Sequence, residues 1–211
     1  MKIVMSLVVG LVLSPLVVMA ESFRYEEGTH YVELTIPVKV RDSTRIEVTE
    51  YFSYGCPHCY QFEPLIGNWA RNLSPDVVFN RTPAVWNQDY RVYAQTYYAA
   101  QALKMTAKMH VALFEAIQGQ HRRLNDPKEM AMFFSEFGVD PMDFAKVYQS
   151  FGTRASLQQA EARGRAYRSS GVPAIIVNGK YRVEAQMAGG NAEMLKVVNF
   201  LIDKERAARS T

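Results

Sequence analysis

Both cysteines of this 211-residue chain lie in one run, Cys56-Pro57-His58-Cys59. Two thiols one helical turn apart can close on each other, but the loop they close is short and constrains the unfolded chain far less than a long one would. Such a pair is placed for chemistry and not for stapling. Half a zinc site is the rival use of C-x-x-C. Zinc normally takes four ligands, and His30, His110 and His121 show no paired-histidine spacing that would complete a set. Disulfide exchange fits better. Its nucleophile is a thiolate, whose pKa falls where the free N–H groups and positive dipole end of a helix start face it. Cys56 sits at such a start, Pro57 suits the first helical position, and a protonated His58 would acidify Cys56 further. Cys59, one turn deeper, is better placed to resolve a mixed disulfide than to begin one. A depressed Cys56 pKa favours the reduced pair and makes its disulfide the stronger oxidant. The motif therefore predicts donation of a disulfide.

The elements around the motif follow from hydrophobic periodicity. Residues 45–54 alternate as a strand, with Ile46, Val48, Glu50, Phe52 and Tyr54 on one face and Glu47, Thr49, Tyr51 and Ser53 on the other. Phe62, Leu65, Ile66, Trp69 and Leu73 then recur at helical spacing, and Pro64 predicts a kink because it removes one backbone hydrogen bond. Val77 to Val85 reads as a second strand with Arg81 on the same face as Val77 and Phe79. Glu50 and Arg81 are thus charges on apolar faces. A short apolar stretch at 31–40, with Pro37 inside it, suits an edge strand.

From Tyr90 to Tyr167 the pattern is helical throughout. Asp126-Pro127 with Glu129 opens one helix, Gly138 closes it, and Asp140-Pro141 with Asp143 opens the next. Phe133, Phe134, Phe137, Phe144, Val147, Tyr148 and Phe151 are expected to fill its core. Strand character returns at Ala174–Val177 and Lys180–Val183 around the hairpin turn Asn178-Gly179, and a last helix is expected from Asn191 to Ala207. The order predicts one α/β unit from 21–89 and 168–211, interrupted by an all-helical segment at 90–167.

The first twenty residues read as a secretory signal peptide. Lys2 precedes an apolar run from Ile3 to Leu13, Ser14-Pro15 breaks it, and Val18-Met19-Ala20 leads to a cut before Glu21. Pro15 and that cleavage pattern argue against an uncleaved membrane anchor, and no cysteine near the cut permits a lipid anchor. An exported chain works in an oxidising compartment. The formal net charge of +3 is too small to argue for nucleic acid or a polybasic membrane contact.

Cys56-Pro57-His58-Cys59-Tyr60-Gln61-Phe62, Gly171-Val172-Pro173-Ala174 and Val177-Asn178-Gly179-Lys180-Tyr181 together resemble the DsbA family of bacterial periplasmic thiol:disulfide oxidoreductases. The resemblance implies a thioredoxin fold, a central mixed sheet flanked by helices, carrying an inserted all-helical domain. It implies a cis Pro173 facing the dithiol, with the backbone of Val172 pairing with an extended substrate strand. It also implies an apolar substrate surface at Phe62, Gln186 and Met187. The fold it implies would make the strands of Glu50 and Arg81 neighbours, so the two are expected to pair beneath Cys59, where a buried carboxylate could exchange the resolving thiol's proton. The family pattern has an acid and usually a lysine there; an arginine holds its charge more firmly, which should keep Glu50 ionised and weighs against a proton-shuttle role. The implied partners are unfolded or reduced exported proteins and a quinone-linked inner-membrane protein that reoxidises the pair. No nucleic acid and no cofactor beyond the cysteines are implied, and the chain is expected to act as a monomer in the periplasm. A disulfide isomerase or reductase, and a peptide-binding chaperone with an incidental dithiol, are the competing functions.

Overall fold

The computed structural model describes residues 25–210; the signal-peptide reading of the first twenty lies outside them. Strand β2 (Ile46–Phe52) organises the rest. It pairs in parallel with β3 (Val77–Pro83) and antiparallel with β4 (Ala174–Val177), which continues through β5 (Tyr181–Glu184) to the short β1 (Val32–Glu33). The sheet order is β1-β5-β4-β2-β3. As an inner strand, β2 is buried at all seven positions. Ile46 and Val48 pack with α1 (Pro57–Arg71) and α8 (Asn191–Arg209) through Ile66, Val197, Val198 and Leu201. The other face, with Tyr51, is covered by Tyr167 at the end of α6 (Phe151–Tyr167) together with Leu34 and Ile176. Both faces of β2 therefore meet protein, which is why Glu47 and Thr49 are buried as well.

Local signals place the element boundaries. Asn178 (φ +50°) and Gly179 (φ +67°) adopt the left-handed conformations that a type I′ turn requires, and the Lys180 N–H donates to Val177 O at 2.9 Å. Between β3 and β4 run α2 (Gln88–Ala102), α3 (Thr106–Phe114), a π-helical turn (Glu115–Gly119), α4 (Pro127–Ser135), α5 (Pro141–Tyr148) and α6. Asp126 and Asp140 cap α4 and α5 with their carboxylates, and Pro127 and Pro141 take the first helical positions. A one-turn helix, α7 (Ala185–Ala188), links β5 to α8.

Helix α1 runs from Pro57 to Arg71 with Pro64 inside it. Three expectations need correction. Strand β1 ends before Pro37; Val38 instead donates its N–H to Gly179 O at 2.7 Å. Phe151 does not join the helical core. It is 81% exposed at the first turn of α6, whereas Phe133, Phe134, Phe144 and Tyr148 are buried.

Phe62, expected on a substrate surface, has no exposed area and lies in the core between α1, the sheet and α8. On α1 it shares the sheet-facing stripe with Cys59 and Ile66, so it points away from solvent. Phe62→Ala should therefore lower the unfolding free energy by about 3–5 kcal/mol, measured from urea denaturation midpoints. A groove-lining phenylalanine would give a much smaller loss.

Candidate active site

Cys56 caps the N-terminus of α1. Its backbone is extended (φ −105°, ψ 112°), and its sulfur accepts the Cys59 N–H at 3.2 Å. On its other side the Val172 carbonyl lies 3.2 Å from the same sulfur, and the Val172–Pro173 bond is cis. Both cysteines are free thiols. Cys59 is fully buried, and burial drives its pKa far above the ordinary thiol range; its hydrogen bond to Cys56, the charge on Cys56 and that on Glu50 act the same way. Cys59 therefore keeps its proton and directs it at Cys56. That hydrogen bond is the largest cause lowering the Cys56 thiol to about 7; burial opposes it, and the Cys59 and His58 N–H groups and the charge of His58 add to it. The helix start and His58, singled out from sequence, come second to the resolving thiol.

Beneath Cys59 lies a chain of charged and polar groups. Glu50 and Arg81 are register partners in β2 and β3, and Arg81 Nε donates to Glu50 Oε2 at 2.7 Å. Arg81 also reaches Glu63 of α1, Nη2 to Oε1 at 2.8 Å. Glu63 Oε2 lies 3.1 Å from His110 Nε2, and His110 Nδ1 lies 2.9 Å from the Tyr54 hydroxyl. Burial lowers the pKa of His110, so the ring is neutral near pH 7; an ionised Glu63 can only accept, which puts the His110 proton on Nε2 and makes Tyr54 the donor to Nδ1. Burial acts to raise Glu63, but the His110 hydrogen bond and Arg81 outweigh it and hold the carboxyl below its ordinary value.

Glu50 behaves differently. Complete burial raises it to about 7, with Arg81 lowering it insufficiently and the charge of Glu63 pushing it up again. The expectation that Arg81 keeps Glu50 ionised meets an opposing force: the guanidinium is divided between two carboxylates, and burial works most strongly against the one with no exposed area. Glu50 Oε1 is buried with no hydrogen-bond partner among the described residues. A carboxyl poised near neutrality beside a buried thiol can take up and release a proton.

A family model described as a DSBA-like thioredoxin domain matches residues 66–201. The thiol:disulfide interchange protein DsbA of Pseudomonas aeruginosa is 43% identical over 90% of this chain and 90% of its own, and that of Azotobacter vinelandii is 42% identical over 86% and 85%. The chain belongs to the DsbA family. The crystal structure of Pseudomonas aeruginosa DsbA superposes with a TM-score of 0.85, at 43% identity, over 89% of this chain and 97% of that one. DsbA from Xylella fastidiosa gives 0.81 at 32% identity, over 87% and 98%. The mixed sheet with flanking helices is accordingly the thioredoxin fold of the DsbA family, with α2 to α6 between its two β segments.

Beside the dithiol of this DsbA-family chain is a groove of about 330 Å³ lined by His58, Gly171, Val172, Pro173, Ala185 and Gln186, among others. His58 is exposed there, and Pro57, also exposed, precedes it in the chain. Gln186 faces the groove, but Met187 does not line it. In the single turn of α7 the next residue points about 100° away, and Met187 is half-buried instead. Sequence reading passed over Glu63 and His110. Glu63 was detectable, four residues after Cys59 and hence on the same side of the helix; no sequence signal ties His110 to it.

Two measurements follow. Absorbance of the reduced protein near 240 nm should show a thiolate forming with a midpoint near 7, against about 8.5 for a free cysteine. The stabilisation this gives the reduced fold is complete above the free-thiol value and disappears as pH falls through 7. Glu50 has the opposite sign. Its raised pKa costs the fold stability as pH climbs from the model-compound value of 4.5 to about 7. Reduced Glu50→Gln should gain on the order of 1–3 kcal/mol over the parent above about pH 8 and nothing below about pH 4, by urea unfolding across pH.

Proposed function

We propose that this chain is a periplasmic dithiol oxidase that transfers the Cys56–Cys59 disulfide to newly exported proteins. The supporting observation is the asymmetry of the pair: one thiol lowered to about 7 beside a groove, the other fully buried and held protonated. In the oxidised enzyme a substrate thiolate attacks Cys56 Sγ. The Cys56–Cys59 bond breaks as the mixed disulfide forms, and the departing Cys59 sulfur takes a proton that Glu50 can supply. A second substrate thiolate then attacks the substrate sulfur of the mixed disulfide, closing the substrate disulfide and releasing Cys56 as a thiolate. Two electrons have passed from substrate to enzyme, and the cysteine pair is itself the redox group. A quinone-linked inner-membrane protein of the DsbB kind removes them.

The roles follow the geometry. Cys56 is the sulfur that the substrate thiolate attacks and that carries the mixed disulfide, Cys59 is the leaving group, and Pro57 and His58 shape the helix start. Val172, Pro173 and Gln186 receive an extended substrate backbone along the groove, Val172 offering its main chain as a strand partner. Glu50 handles the Cys59 proton, with Arg81 setting how tightly it is held. Export rests on the signal-peptide pattern; among the described residues no helix is long and apolar enough to cross a membrane.

Cys59→Ala keeps a Cys56 thiolate that can attack a disulfide in an exported protein but has no Cys59 to release it, so it should accumulate mixed disulfides at Cys56 with disulfide-bonded exported proteins, visible on non-reducing gels and absent from Cys56→Ala. Equilibration of the parent with glutathione should give a potential above about −200 mV. A value near −270 mV, that of a reducing thioredoxin, would make the chain a reductase, and absence of mixed disulfides would leave the chaperone reading.

A further inference from the structure

At the free edge of β3, between α2 and α6, lies a recess of about 440 Å³ that shares no lining residue with the substrate groove. Every charged residue lining it is an arginine: Arg41, Arg81 and Arg163. The carboxylates that meet them lie beneath. Arg41 and Arg163 converge on buried Glu47, at 3.2 Å and 3.8 Å, so two guanidinium groups share one carboxylate. Arg81, stacked 4.9 Å from the Phe79 ring centroid, turns its acidic contacts to Glu50 and Glu63. Arg41 and Arg163 thus carry one positive charge more than Glu47 can neutralise, while Arg81 is met by two acids of its own. Asn80, Gln101, Ser156 and Gln159 also line the recess, beside aromatic and alanine side chains, and among the described residues none of these four polar side chains is engaged in a hydrogen bond. Arginine forks match the paired oxygens of carboxylates and phosphates, free amide and hydroxyl groups supply further donors, and the volume lies in the range of small-molecule sites.

We propose that this recess binds a small oxyanion of the phosphate or carboxylate type on Arg41, Arg81 and Arg163. Arg81 is common to the recess and to the buried carboxylates below the dithiol, so an occupant draws on the same guanidinium that Glu50 depends on. The site thereby connects a surface ligand to the proton-handling group of the reaction, through one side chain. Binding itself does not require the redox reading to be correct.

The test is an NMR titration of purified, reduced, isotope-labelled protein with inorganic phosphate and, separately, with succinate, at fixed pH with chloride balancing ionic strength. At least one anion should produce saturable shifts at the Nε–H groups of Arg41, Arg81 and Arg163 with a Kd below about 10 mM, and the Glu50 carboxyl carbon should move with the same saturation. Arg163→Gln should weaken binding about tenfold, equivalent to about 1.4 kcal/mol, with its far-ultraviolet spectrum unchanged and Arg163→Lys intermediate. Should Arg163→Gln fail to fold, Arg41→Gln carries the same expectation. Saturation by phosphate alone or succinate alone identifies the headgroup. If neither anion saturates by roughly 50 mM, or the arginine variants bind as the parent does, there is no site. A Glu50 carbon that stays still while the arginines saturate removes the coupling.

Discussion

The acidity of Cys56 depends on a second thiol that water cannot reach. Cys59 lies one turn into α1, on the stripe that Phe62 and Ile66 press against the sheet, and burial there makes ionisation costly. Its proton has one productive use, as a hydrogen bond to the Cys56 sulfur, and that bond outweighs the desolvation of Cys56 itself. The packing of α1 on the sheet is thus an electrostatic device as much as a structural one. Moving the helix by a fraction of a turn would expose Cys59, let it share the charge, and remove the difference between the two sulfurs.

Below the pair, burial decides the outcome again. A single arginine faces two glutamates, and the fully enclosed Glu50 rises to about 7 while the less enclosed Glu63 stays ionised. The helical segment between β3 and β4 contributes to this balance. His110 of α3 holds Glu63, and the Tyr54 hydroxyl orients His110. Gln118 donates to Tyr54 O at 2.7 Å, and the Tyr60 hydroxyl donates to Glu115 at 2.7 Å. The stretch on either side of Cys56 is therefore braced by helices more than fifty residues away in sequence, which turns a flexible strand-to-helix junction into a fixed one.

Where the chemistry is local, sequence reading was reliable. Asp126-Pro127 and Asp140-Pro141 open helices because a carboxylate and a missing N–H settle a helix start within four residues. Asn178-Gly179 forms the hairpin because few other residues accept two left-handed positions in succession. Strand parity placed Glu50 and Arg81 on apolar faces, the family resemblance made their strands neighbours, and parallel β2 and β3 bring them into register. The errors came from residues whose face was known but not what covered it. Phe62 sits on an apolar stripe whether that stripe meets a substrate or a sheet, and the sheet won. Phe151 has an aromatic side chain that nothing packs over, because it occupies the exposed first turn of α6.

The sequence by itself determined the nucleophilic motif, the order of strands and helices, and the placing of two opposite charges on apolar faces, because each is set by spacing along the chain. The tertiary structure decided which sulfur keeps its proton, how Arg81 is divided between Glu50 and Glu63, and the link from His110 to the buried acids. Those are matters of desolvation and of distance across the fold, and neither is written into any run of neighbouring residues.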